Sequence, residues 1–149
     1  MSWWSDITST KNAMRGATVR YAVYPAIDPA DMSLPGVQLT AATAKQMDAA
    51  AADIVDAATS PQVDYWICSV LMHTLSGAAE IHALELQTAA AAKLVDLFIN
   101  PTAATLNLPQ LLDLPFPINM AAKAVVKGIL GNVTGGTTAY VALLCATLL

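Results

Sequence analysis

The sequence is short of charge. Only 12% of its 149 residues are Asp, Glu, Lys or Arg, whereas 56% are hydrophobic. A soluble domain ordinarily carries about 25% charged residues, so these charges are too few to cover the surface of a monomer. We therefore expect a surface rich in alanine and threonine, or one that is buried against other chains or lipid.

Basic residues and cysteines are also scarce. The 7 lysines and arginines are spread along the chain and leave a net charge of -4. They form no stripe that could neutralise a series of phosphates, which argues against direct nucleic-acid binding. Cys68 and Cys145 have neither zinc-site spacing nor the pattern of a disulfide framework. We expect two buried thiols.

Motifs that carry catalytic or cofactor chemistry are missing as well. The sequence has no phosphate-binding glycine–lysine loop, no dinucleotide fingerprint after a strand and no nucleophile elbow. On one long helix His73 and His82 would lie on opposite sides, and His82 with Glu85 would form a surface pair. We predict that the protein is not an enzyme and has no catalytic residue, metal or cofactor.

A secretion signal is not evident in residues 1–6, MSWWSD. This segment has no basic region followed by an apolar stretch of signal-peptide length. We expect synthesis in the cytoplasm without Sec-type export. For the finished protein we expect a place in a virion or another assembled particle.

The longest uninterrupted stretch runs from Pro61 to Ile99. Ser60 before Pro61 has the sequence of a helix start, and Asn100 before a proline has that of a helix end. Residues 65–72 are apolar nearly all round, as in an enclosed helix, and residues 76–77, Ser-Gly, are suited to a bend. The sequence predicts a mainly α-helical bundle around this long central helix.

The remaining segments surround that helix within one domain, residues 1–149. Prolines recur before residue 40 and after residue 100, and proline interrupts both helix and regular sheet. The alanine-rich residues 40–59 keep an apolar stripe at helical spacing and predict a second helix. The predicted parts are an N-terminal segment and extended arm over 1–39, a helical core over 40–100, and a proline-rich lid and apolar C-terminal hairpin over 101–149.

Two segments near the termini fit helix and strand alike. Residues 17–24 alternate and are rich in β-branched and aromatic side chains, and residues 137–149 form an apolar run that includes Thr137, Thr138 and Val141. Short β segments therefore compete with helix at both places. The uncharged tail 132–149 fits a core element, an interface or a membrane-inserted segment.

Low charge, alanine-faced helices, a proline-rich arm and the lack of a chemical site favour a structural subunit of a homo-oligomeric assembly, such as a virion, tube or filament component. Its partners would be further copies and other subunits of that assembly. The alternative is a membrane-interacting or pore-forming subunit of the phage-ejection type, and the third hypothesis is a small helical module that binds an apolar ligand. The candidate interface residues are Trp3, Trp4, Pro29, Pro35, Tyr65, Trp66, Tyr140 and Leu149.

Overall fold

The computed structural model describes residues 18–26, 30, 34–47, 50–76, 80–99 and 110–148. Throughout these residues the chain forms strands and connecting turns, without a helix. The strands are β1 (Val19–Tyr24), β2 (Val37–Thr40), β3 (Ala52–Val55), β4 (Tyr65–His73), β5 (His82–Thr88), β6 (Lys93–Ile99), β7 (Gln110–Met120), β8 (Val126–Asn132) and β9 (Thr138–Leu148).

The strands form two antiparallel sheets. Sheet A has the order β1-β9-β4-β7, with β2 also paired to β9, and sheet B has the order β3-β8-β5-β6. Since β1 pairs with the second half of β9 and β2 with the first half, β1 and β2 act as one interrupted strand. Every later connection except β5 to β6 crosses between the sheets. This arrangement, two packed antiparallel sheets with Greek-key connections, is a jelly roll.

Alternate residues of each strand lie between the sheets and form the core. Along β4 these residues are Tyr65, Ile67, Val70 and Met72, all almost fully buried. The alternation changes phase at Cys68, where the pairing of β4 with both β7 and β9 shifts by one or more residues. Such a β-bulge keeps the apolar side chains of both halves of β4 in the core.

The helical bundle predicted around residues 61–99 is wrong. This stretch contains β4 and β5, which lie in different sheets, and then β6. Of the predicted bend at 76–77, residue 76 follows β4 and residue 77 lies outside the described residues. β4 is apolar on both faces, and a continuous apolar run has no period that separates strand from helix. The aromatic and β-branched residues of β4 were the signal for a strand.

The helix predicted over residues 40–59 is also wrong. These residues contain the end of β2, a single parallel bridge between Ala44 and Asn132, and β3. Alanine favours helix by well under 1 kcal/mol per residue over most other side chains. The burial of Ile54 and Val55 between the sheets outweighs that preference.

Among the described residues, parts of the segments predicted to be irregular or ambiguous are strands. The arm ends in β2, and β7 occupies the second half of the predicted lid. β8 and β9, which lie in the predicted apolar C-terminal hairpin, belong to different sheets. At both places where strand competed with helix the chain forms a strand, β1 within 17–24 and β9 within 137–149.

The turn from β8 to β9 depends on two glycines. Gly135 and Gly136 have φ angles of 78° and 67°, and the Gly136 N–H donates to the carbonyl of Ala41 at 2.7 Å. A Cβ on Gly135 would lie 2.8 Å from the backbone nitrogen of Ala44, whereas one on Gly136 would meet nothing within 4 Å. Both positions therefore require a left-handed backbone, but only Gly136 has room for a side chain.

We expect Gly135→Ala to destabilise the fold more than Gly136→Ala. At Gly136 the cost is that of the left-handed backbone, about 1–2 kcal/mol. At Gly135 a clash with the backbone of Ala44 adds to that cost, by roughly 1–3 kcal/mol as for other overpacked sites. Urea unfolding of both variants measures the difference, and equal losses would show that the turn does not pack against Ala44.

Candidate functional site

The face of sheet A that points away from sheet B carries almost no charge. Its side chains are those that alternate with the core residues, and Asp113 alone among them is charged. The Asp113 carboxylate accepts a hydrogen bond from the Ser69 hydroxyl at 2.7 Å. In β1, β4, β7 and β9 the paired residues of this outer face are Val19, Tyr21, Val23, Trp66, Ser69, Leu71, His73, Leu111, Asp113, Asn119, Thr138, Tyr140, Ala142, Leu144, Ala146 and Leu148.

The outer face of sheet B is charged instead. The Lys93 ammonium lies 2.7 Å from the Glu85 carboxylate and 3.0 Å from that of Asp96, and Lys127 lies 3.7 Å from Asp53. Every ion pair among the described residues is on this face. A hydrogen bond from Gln87 and the contact with Lys93 lower the pKa of Glu85. The two outer faces therefore differ in chemistry: sheet B presents a charged face and sheet A an apolar one.

The apolar face of sheet A is buried at its centre and exposed at its margins. Trp66 is 7% exposed and Ala142 fully buried, whereas Tyr21 in β1 and Leu111 in β7 are each 57% exposed. The indole N–H of Trp66 is buried and has no hydrogen-bond partner. An exposed apolar margin that continues an uncharged face is typical of a protein–protein contact.

The edge strand β7 limits how a partner can approach this face. Ile118 pairs with Ile67 and Asp113 with Ser69, so residues 114–117, Leu-Pro-Phe-Pro, lie opposite Cys68 alone. Prolines have no backbone donor, and a bulge of this kind twists an edge away from a further strand. The edge is therefore suited to contacts through side chains rather than to the addition of a strand.

His73 joins the arm to the outer face of sheet A. Its ring stacks on that of Tyr140 with 5.4 Å between the centroids. Nε2 lies 2.8 Å from the carbonyl of Pro35 and must donate to it, while Nδ1 lies 2.9 Å from the Thr74 hydroxyl. A Cβ on Gly36 would lie 3.0 Å from that of Tyr140. The missing side chain at Gly36 thus allows the arm to approach the sheet closely.

The structure brings two of the predicted interface residues together. Pro35 and Tyr140 both contact His73, whereas Trp66 lies near the opposite end of β4 on the same outer face. Tyr65 belongs to the core, and its hydroxyl donates to the carbonyl of Ala124 at 2.8 Å. Outside the described residues lie Trp3, Trp4, Pro29 and Leu149.

Sequence reasoning missed the exposed margin of this face. Tyr21 lies in residues 17–24, where apolar and polar side chains alternate. The face of the sheet on which its side chain lies depends on the pairing with Ala146. Leu111 lies in the predicted proline-rich lid. Its pairing with Leu71 places it on the outer face. Strand alternation around Leu111 was the signal that could have indicated this position.

The described residues form no metal cluster of three or more His, Cys, Asp or Glu side chains. His82 and Glu85, predicted to touch on a helix, lie on opposite faces of β5 because residues an odd number apart alternate in a strand. Within the same described ranges, no helix is long and apolar enough to cross a membrane.

No protein-family model matches the chain, and no curated protein matches it. Three solved structures of infectious bursal disease virus resemble it. The structure of the Gx strain is 11% identical with a TM-score of 0.41, and the match covers 88% of this chain and 32% of that one. For the VP2 subviral particle the identity is 11%, the TM-score 0.40 and the coverage 91% of this chain and 33% of that one; for the T13 viral particle the identity is 10%, the TM-score 0.40 and the coverage 89% and 32%. These neighbours are chains of viral or subviral particles. The chain spans about a third of their length, and TM-scores at this level carry no argument about function.

Stability should fall at alkaline pH because Tyr65 and Cys145 are buried in their neutral forms. Burial raises the pKa of Tyr65 from 10.0 to about 12 and that of Cys145 from 9.0 to about 12. The unfolded chain loses these protons first, so their contribution is complete below about pH 9 and is lost as the pH rises towards about 12.

Urea unfolding at increasing pH measures this loss. Tyr65→Phe and Cys145→Ala should each flatten the alkaline decline, whereas Tyr21→Phe, at an exposed tyrosine, should leave it unchanged. An unaltered decline in Tyr65→Phe would show that Tyr65 is not enclosed in the core in solution.

Proposed function

We propose that the chain is a non-enzymatic structural subunit that assembles with further copies of itself through the exposed margin of the outer face of sheet A. The observation that carries the proposal is the difference between the two outer faces. All ion pairs of the described residues lie on sheet B. The face of sheet A has one charged side chain, and its hydrogen bond to Ser69 lies within that face.

The exposed margin supports an interface rather than a solvated sheet. Tyr21 and Leu111 lie at the two sides of sheet A, in β1 and β7, and Phe116 adds a further exposed aromatic ring in β7. Aromatic and aliphatic side chains with few charges are characteristic of the buried centre of protein–protein contacts. The low overall charge of the chain fits the same interpretation, since a buried face needs no solvating side chains.

The fold suits a repeated building block. A jelly roll presents two broad sheet faces on a rigid frame, and viral capsid domains are among the proteins that use it. Lectin domains and cupins share the architecture, so the surface and not the fold supports the assignment. We propose a virion component as the type of assembly that combines this fold with an apolar outer face.

Light scattering tests this proposal by measuring the mass of the native particle. We expect a mass well above the 15.5 kDa of one chain. Leu111→Lys should weaken association by about 2 kcal/mol or more, roughly 30-fold, as for the loss of an interface hot spot. The reason is that the lysine would place a charge within an apolar contact.

Phe98→Lys is the matched control. Phe98 is 68% exposed on the edge strand β6 of sheet B, so it resembles Leu111 in exposure and position but lies on the other outer face. We expect it to leave the mass unchanged. A wild-type chain that remains a monomer at all concentrations, or dissociation by Phe98→Lys alone, would contradict the proposal.

A further inference from the structure

The strands of sheet A contain two charged residues, and these lie on its two edges. Arg20 is in β1 and Asp113 is in β7, and the strand order β1-β9-β4-β7 places these strands at opposite sides of the sheet. No other Asp, Glu, Lys or Arg occurs in β1, β2, β4, β7 or β9. Sheet A therefore has one positive and one negative edge, with uncharged strands between them.

Both charged side chains are exposed and have no oppositely charged neighbour within the described part of the chain. The ion pairs of the described residues all lie on sheet B. The Ser69 hydroxyl donates to Oδ1 of Asp113, but a hydroxyl brings no charge to balance that of the carboxylate. A cation supplied by another molecule is the contact that matches Asp113, and an anion is the contact that matches Arg20.

Each charged residue has an exposed apolar neighbour on its own edge. Tyr21 follows Arg20 in β1, and Leu111 lies two residues before Asp113 in β7; Tyr21 and Leu111 are both 57% exposed. Arg20 points to the opposite side of β1 from Tyr21, as neighbours in a strand do. A long guanidinium side chain on an edge strand is still accessible from the side of the sheet. The two edges thus match in apolar character and are opposite in charge.

We propose that the copies associate side by side, with the β1 edge of one copy against the β7 edge of the next and Arg20 opposite Asp113. This inference rests on the assembly proposed above and specifies its geometry. A contact between two different edges is heterologous, and it forms a ring where the rotation between copies closes. A contact between two β7 edges, or between two β1 edges, would place like charges in the same interface, which opposes association.

The contact is made by side chains rather than by a sheet that continues between copies. Residues 114–117 of β7 include two prolines, which have no backbone donor, and they form the bulge opposite Cys68. A guanidinium group suits a side-chain contact of this kind because its planar donors bind a carboxylate bidentately. Arginine and tyrosine are both enriched at protein–protein contacts.

Charge reversal at each edge tests the proposal. The native mass of the full-length chain is measured by light scattering over a range of concentrations. Arg20→Glu and Asp113→Lys should each weaken association by about 10-fold or more, because each places like charges in contact. The double variant with both substitutions restores opposite signs and should recover most of this loss. A variant that only destabilised the fold would not be rescued by the second substitution.

Mixing the two single variants separates a heterologous contact from an isologous one. In an equimolar mixture, Asp113 of the Arg20→Glu copy meets Arg20 of the Asp113→Lys copy, and the two new residues also meet with opposite signs. The mixture should therefore associate although neither variant does so alone. Lys127→Glu is the control, because it reverses a charge on sheet B and should leave the mass unchanged.

The outcomes distinguish this contact from the assembly itself. A wild-type chain that assembles, with a mass that neither reversal changes, would overturn the edge contact and leave the assembly standing; so would losses that neither the double variant nor the mixture recovers. A wild-type chain that stays a monomer would overturn both proposals. If Arg20→Glu does not fold, Arg20→Gln decides the question through a loss of association that Lys127→Gln does not show.

Discussion

The enclosure of β4 at the centre of sheet A is the constraint on which the rest of the structure depends. β4 pairs with β9 on one side and β7 on the other, and its inward side chains Tyr65, Ile67, Val70 and Met72 are almost fully buried. These side chains pack on sheet B, so both sheets must close around them. The bulge at Cys68 keeps both halves of the strand in phase with the core.

The same alternation that fills the core creates the surface. Each inward residue of sheet A is followed by an outward one, so a strand that is apolar throughout also builds an apolar outer face. Sheet B alternates with charged residues, and Lys93 and Lys127 pair with carboxylates on its outer face. The function that we propose therefore comes from a property of whole strands, and no single catalytic residue is needed for it.

The main error of the sequence analysis was the secondary structure of the predicted core. The prediction of Pro35 and Tyr140 as interface residues is untested, and both residues contact His73. The prediction of a long central helix failed because Ser69 is the one polar residue between Tyr65 and Met72, which is too few to reveal a period of two. The prediction of a helix over residues 40–59 failed for a different reason. It rested on the modest helix preference of alanine, which the burial of Ile54 and Val55 in the core outweighs.

The sequence by itself determined the low charge, the lack of a nucleic-acid stripe and the competition between strand and helix at residues 17–24 and 137–149. These are properties of composition and local pattern. Only the tertiary structure decided which apolar residues face the core and which face outward, because that depends on pairing between strands far apart in the chain. It also placed Arg20 and Asp113 on opposite edges of sheet A, a separation created by the long-range pairing of β9 with β1 and β4 and of β4 with β7.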